Sequence, residues 1–264
     1  MKYSFMSFSC PEATLPELLA IAERFGYDGV EPRAAVKNAH GIELTADAGQ
    51  RRAARRHAEK SPVRLCCLAT SLKYADPASV TAMVAETGRY LELAADVGIP
   101  ALRVFGGLLP EGMGRDRAVE QVAAALGSLA ARASSLGVAL CLETHDDWCD
   151  PADVVRVMDI VNSPAVMVNW DIMHPVRRAQ KTIDEAWEQL GDRVGHVHFH
   201  DGVTRDGRVE LCPVGRGEVD HRRAVELLQQ AGYQGYLSGE WIAWSEPWET
   251  YLPRELGTMR SYER

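Results

Sequence analysis

Apolar positions along the chain follow two alternating periods. Short runs that are continuously apolar or apolar at every second residue predict strands at 3–9, 29–32, 64–69, 101–105, 138–143, 166–171, 195–200 and 236–241. Between them apolar residues fall at i, i+3, i+4 and i+7, as in Leu15, Leu18, Leu19 and Ala22, in Val119, Val122, Ala123 and Leu126, and in Ala224, Leu227, Leu228 and Ala231. That period predicts helices with one buried stripe. Gly26, Gly98, Gly137 and Gly232 stand where helices should end, and Phe25-Gly26-Tyr27 and Ala231-Gly232-Tyr233 read as two copies of one joint. Eight strand–helix units in 264 residues match the roughly 250 residues of a closed barrel. The expected fold is therefore α/β, a (β/α)8 TIM barrel forming one domain over residues 1–264, since no linker or low-complexity tract divides the chain. An open doubly wound sheet is the competing fold, but no G-x-G-x-x-G follows the first strand.

Composition narrows the setting. With 46% hydrophobic and 25% charged residues, and no apolar run of about 20 residues, neither a membrane span nor a membrane partner is expected. Residues 1–11 lack the basic start and apolar stretch of a secretion signal, which suggests a cytoplasmic protein. Six cysteines without a C-x-x-C pair or a framework spacing read as reduced, mostly buried thiols. A net charge of −8 argues against a nucleic-acid partner. The cluster Arg51, Arg52, Arg55 and Arg56 reads as the solvated face of a helix. Trp241, Trp244 and Trp248 after the last strand could be packing, the wall of a sugar site or a subunit contact.

Candidate chemistry collects at strand ends. Glu143, Asp171, His198 and Glu240 each close an apolar run, at successive separations of 28, 27 and 42 residues, where one strand–helix unit takes roughly 30. A carboxylate ending a nearly continuous apolar strand needs a cation or a partner. Strand alternation also puts His196, His198 and His200 on one face. Three carboxylates and one imidazole suit Mn²⁺ or Mg²⁺ better than a thiolate-rich zinc site, with open positions for substrate oxygens. Glu31, Arg33, Lys73 and Arg103 end earlier strands and could bind hydroxyl, carboxylate or phosphate groups, or form surface ion pairs.

In these residues the sequence resembles the xylose isomerase-like barrel superfamily, specifically its sugar phosphate isomerase/epimerase branch. The resemblance rests on the order of Gly26-Tyr27-Asp28-Gly29-Val30-Glu31, Leu102-Arg103-Val104-Phe105-Gly106-Gly107, Leu142-Glu143-Thr144-His145, Asp171-Ile172-Met173-His174, His196-Val197-His198-Phe199-His200-Asp201 and Pro213-Val214-Gly215-Arg216-Gly217-Glu218-Val219-Asp220. It implies one divalent metal, Mn²⁺ with Mg²⁺, Co²⁺ or Zn²⁺ as alternatives, on Glu143, Asp171, His198 and Glu240. Substrate-contacting groups would include His174 and Arg216 or Glu218, with His145, His200, Arg103 and Glu31 as further candidates. His200 departs from the pattern, because many relatives carry lysine there.

The implied activity is isomerisation or epimerisation of a ketose, sugar phosphate or polyol ketone through an enediolate, with Glu143 and Glu240 transferring the proton. Dehydration of an inosose or dehydroshikimate-like hydroxy ketone is the alternative. An endonuclease IV-like repair enzyme is disfavoured, since the extra ligands of its three-metal cluster are missing at 65–71, 102–107 and 208–211. A non-catalytic binding protein is a further reading. The expected partner is a small carbohydrate or polyol, and assembly into a homo-oligomer stays open.

Overall fold

Each predicted strand recurs in the structure, and all of them run in the same direction. The computed structural model describes residues 1–242 and 244–263. Its main sheet contains β1 (Lys2–Met6), β2 (Gly29–Glu31), β3 (Arg64–Leu65), β4 (Leu68–Lys73), β5 (Ala101–Phe105), β6 (Ala139–Glu143), β7 (Val166–Asp171), β8 (Val194–Phe199) and β11 (Tyr236–Gly239). Pairing is parallel throughout, in the order β3-β2-β1-β11-β8-β7-β6-β5-β4. The two ends of that order, β3 and β4, are halves of one chain segment interrupted at Cys66-Cys67. Across the gap Ala69 N donates to Pro32 O and Ala34 N donates to Ala69 O, each at 2.9 Å, so the sheet comes close to closing on itself. Parallel strands buried on both faces explain the nearly unbroken apolar runs in the sequence.

Helices α1 (Leu15–Phe25), α2 (Ala48–Lys60), α3 (Val80–Val97), α4 (Arg115–Leu136), α5 (Pro151–Val161), α6 (Met173–Arg178), α7 (Ile183–Leu190), α8 (His221–Gln230) and α9 (Trp248–Ser261) return the chain between strands. In α1 the buried residues are Leu15, Leu18, Leu19 and Ala22, the stripe expected from the period. The two Gly-Tyr joints share one geometry: Tyr27 N donates to Ala22 O and Tyr233 N to Leu228 O, both at 2.9 Å. These six-to-one bonds need a left-handed residue in between, supplied by Gly26 at φ 84° and Gly232 at φ 69°. Helix α2, with the arginine cluster, buries none of its side chains. It is a solvated face, with Arg51 on Asp96 and Arg55 on Glu59.

Several boundaries differ from expectation. The first strand stops at Met6, and Ser7–Ser9 form a 3₁₀ turn. An antiparallel hairpin not foreseen in the sequence, β9 (Asp201–Arg205) and β10 (Arg208–Cys212), follows β8 at the mouth of the barrel. Its outer face is solvated, so it lacks the apolar run that marks a barrel strand. Trp241 is fully buried against Phe199 and Tyr251. Trp244 packs on Tyr251 and Trp248 on Phe25, so these rings serve packing. Five of the six cysteines are buried and all six are free. No helix among the described residues is long and apolar enough to cross a membrane.

One buried polar residue in the β2–α2 loop couples this packing to pH. His40 is 6% exposed; its Nδ1 accepts from Ile42 N at 3.0 Å, which leaves Nε2–H to donate to Arg33 O at 3.2 Å. Burial pushes its pKa down from 6.5 to about 4. The folded state therefore holds the neutral ring while the unfolded chain takes up a proton first. Stability is full above pH 6.5 and falls by about 1.4 kcal/mol per pH unit towards pH 4. His40→Gln removes this contribution, so urea unfolding of the variant between pH 6.5 and 4 is expected to give a shallower decline than wild type. Parallel profiles would count against the assignment.

Candidate metal centre and active site

The register of four neighbouring strands brings the polar ends to one level. Glu143 on β6 lies opposite Asn169 on β7, Asp171 on β7 lies opposite His198 on β8, and His198 lies opposite Ser238 on β11. Glu240 follows β11 directly, with its N–H bonded to Phe199 O at 3.1 Å. The result is a cluster of Glu143, Asp171, His198 and Glu240, each offering a ligand atom within 4.8 Å of all the others. All four are buried.

The cluster has the chemistry of a cation site. His198 Nε2 lies 3.0 and 3.2 Å from the two oxygens of Glu31, so that nitrogen carries the donated hydrogen. Its Nδ1 lies 3.5 Å from Glu143 Oε1 and 3.4 Å from Glu240 Oε2, and with a cation in the cluster it would give up its proton and offer the ion a lone pair. Glu143 Oε2 and Glu240 Oε2 make no hydrogen bond among the described residues, although Arg103 Nε lies 3.1 Å from the first and His198 Nδ1 3.4 Å from the second. Three buried carboxylates share these two cationic neighbours, and crowding negative charge away from water is costly unless a further cation balances it. The oxygen-rich donor set fits a hard divalent ion.

Protonation within the cluster follows its charge. Burial alone would lower the His198 pKa, but the negative charges of Glu31 and Glu143 outweigh it and raise it well above the usual range. Burial opposes ionisation of Asp171, yet His174 and His200 hold its carboxyl far below normal. Glu240 is likewise held at about 2 against burial, by its contact with His198. His200 moves up to about 9, since the charge of Asp171 overrides the effect of burial.

The other candidates occupy distinct places. His200 Nε2 contacts Asp171 Oδ2 at 2.8 Å. His174 Nε2 lies 3.8 Å from the same oxygen, and its ring meets those of His145 and His200 edge-on, with centroids 4.5 and 5.4 Å away. Glu31 is fully buried, with its carboxylate taken by His196 and His198. Arg103 is also enclosed, 1% exposed, with Nη1 bonded to Thr70 O at 2.8 Å and Nε 3.1 Å from Glu143 Oε2. Both are candidates for meeting substrate, and each is already engaged by protein partners while being no more enclosed than Glu143, Asp171 and His198.

Glu218 is exposed and fastens the hairpin, accepting from Thr204 N at 2.8 Å and from Arg177 Nη1 at 3.0 Å. Arg216 is exposed on the neighbouring loop. That loop is organised by Asp201, whose buried carboxylate accepts from the N–H groups of Gly215, Gly217 and Val219. A side chain on Gly217 would lie 2.1 Å from Asp201 Oδ1, so the Gly-x-Gly spacing is a packing requirement. Asn169 escaped the sequence reading, although it is fully buried and its Nδ2 is 3.2 Å from His198 Nδ1. The only signal was a polar residue inside an apolar strand.

A nearly closed parallel barrel with its polar groups at the strand C-termini defines a TIM-barrel protein. Residues 19–262 match the model of the xylose isomerase-like TIM barrel family, and the chain belongs to that family. Among solved structures, the chain resembles the probable 3-DHS dehydratase AsbF from Bacillus anthracis, with a TM-score of 0.81 at 16% identity over 98% of this chain and 99% of that one. The 3-keto-D-glucoside 4-epimerase YcjR from E. coli gives a TM-score of 0.79 at 18% identity, covering 99% of each chain. The IolI protein, in a structure with a zinc atom, gives 0.82 at 16% identity over 99% of this chain and 96% of that one. At such identities these similarities establish the shared fold. No curated protein matches the chain significantly.

Proposed function

We propose that the chain is a divalent-metal-dependent isomerase or epimerase acting on a ketose, sugar phosphate or related polyol ketone. The observation that carries this reading is the buried cluster of Glu143, Asp171, His198 and Glu240, three carboxylates and an imidazole whose ligand atoms all lie within 4.8 Å of one another. A divalent ion, Mn²⁺ by preference for the oxygen-rich donors, would draw electron density from a substrate carbonyl and its neighbouring hydroxyl and so acidify the adjacent C–H.

The residues supply the rest. One of Glu143 and Glu240 removes the proton next to the carbonyl and gives the enediolate; the other returns a proton to a different face or carbon. Arg103 offsets the charge of Glu143. Glu31 orients His198, and His200 does the same for Asp171. His145 and His174 at the mouth and Arg216 on the Asp201-clamped loop are placed to meet substrate hydroxyls. Structurally similar proteins include a D-allulose 3-epimerase from Methylomonas sp. and an L-ribulose 3-epimerase, which supports this substrate class.

The test is exchange in D₂O, followed by NMR, with Mn²⁺-loaded protein and a panel of ketoses, inososes and hydroxy-keto acids. Deuterium is expected at the carbon beside the carbonyl. Net loss of a β-hydroxyl would instead identify a dehydratase, the alternative use of the same proton abstraction. No exchange with any member, together with no retained metal by elemental analysis, would sink the proposal.

A further inference from the structure

Arg33 lies just beyond β2 with only 9% of its surface exposed, and its charge has no acidic partner. Its guanidinium donates to Ala34 O, to Ala69 O and to Ser71 Oγ, all neutral acceptors. Among the described residues no carboxylate oxygen comes within 4.0 Å of it, whereas the similarly buried Arg103 faces Glu143 and Arg177 faces Glu218. A buried cation without a counter-ion is costly and unusual.

The position explains what that charge could serve. Glu240 and Glu143, two of the candidate metal ligands, are near enough for their charges to act on Arg33, yet neither touches it. Burial and the neighbouring charge of Arg103 lower its pKa to about 10, so the environment leaves its charge under-compensated. The three bonds above occupy Nη1 and one hydrogen of Nη2, leaving Nε–H and the second Nη2 hydrogen without a protein acceptor among the described residues. Such a pair of donors can grip a carboxylate or phosphate through two parallel hydrogen bonds. Ser71 is exposed, so this part of the mouth is open to a ligand.

We infer that Arg33, with the Ser71 hydroxyl beside it, forms an anion subsite, and that the substrate is an acidic hydroxy ketone bearing a carboxylate or phosphate rather than a neutral ketose. The inference rests on the isomerase/epimerase reading for where the carbonyl lies. The two charges of a divalent ion in the cluster, the guanidiniums of Arg33 and Arg103 and the His200 imidazolium offset the carboxylates of Glu31, Glu143, Asp171, Glu240 and the Arg33 neighbour Glu43. An anion then enters a site without net negative charge.

The test is binding rather than turnover. Calorimetric titration of Mn²⁺-loaded protein with D-fructose, D-fructuronate and D-fructose 6-phosphate compares one carbon skeleton carrying a hydroxyl, a carboxylate or a phosphate. At least one anion is expected to bind wild type tenfold or more tightly than D-fructose, and the preferred anion tells carboxylate from phosphate. Arg33→Gln should weaken that anion roughly ten- to a hundredfold without changing D-fructose binding, and Arg33→Lys should recover part of the loss. A merely structural arginine would affect all three ligands alike. No anion preference in wild type, absence of anion binding, or an undiminished preference in a folded Arg33→Gln protein overturns the inference. Anion preference without deuterium exchange would instead overturn the proton-transfer reading and leave the subsite standing.

Discussion

Glu240→Gln is expected to lower the rate of deuterium exchange at least ~10³-fold, while leaving the barrel folded. The substitution keeps the shape of the side chain and removes one of four carboxylates packed into the strand ends. In metal-free protein the ionised Glu240 is held by His198, which keeps its carboxyl down at about 2, so the variant loses that attraction and should melt somewhat lower than wild type. The response to metal should separate the two proteins more clearly. A ligand at a hundred times its Kd stabilises the folded state by about 2.7 kcal/mol, so Mn²⁺ should raise the melting temperature of wild type and raise that of Glu240→Gln much less. Glu143→Gln should behave similarly in exchange. A Glu240→Gln protein that exchanges at more than a tenth of the wild-type rate would remove Glu240 from the proton-transfer role.

Much of the architecture was legible because a barrel strand advertises itself. Parallel strands are buried on both faces, so each reads as an apolar run, and the helices that cover them carry a 3.6-residue stripe. The gathering of Glu143, Asp171, His198 and Glu240 was legible for a related reason. Strand ends in a parallel barrel share one rim, so four polar terminators of successive units had to approach one another. Partnering within the rim was not legible. Glu31 and Arg103 end strands just as Glu143 does and are equally buried, but which groups they meet, His196 and His198 for one and Thr70 and Glu143 for the other, is set by pairing register rather than by any local sequence signal.

Loops were least legible. The hairpin of β9 and β10 is held by Glu218 and its base by Asp201, contacts between residues 14 to 18 positions apart that no periodicity reports. Arg33 was visible as a strand-end cation, but its lack of an acidic partner is a property of the folded packing. The same holds for Asn169, whose value lies in facing His198 across the β7–β8 pair.

Arg103→Met should destabilise the metal-free protein by about 3 kcal/mol or more, because removing one member of a buried charge pair leaves the other uncompensated. Arg103 and Glu143 are each 1% exposed, and the guanidinium also satisfies Thr70 O. The charge and packing contributions can be separated by a double-mutant cycle. In Arg103→Met/Glu143→Gln both charges are gone, so the penalty of the lone carboxylate disappears and only the lost bond to Thr70 O and the altered packing remain. The double variant should therefore be more stable than Arg103→Met by about 2 kcal/mol in urea unfolding, although it carries one more substitution. Saturating Mn²⁺ should narrow the gap between Arg103→Met and wild type, since the ion can supply the countercharge that Glu143 has lost. If the double variant is no more stable than Arg103→Met, the arginine acts through packing and its bond to Thr70, and Glu143 must be balanced by another cation.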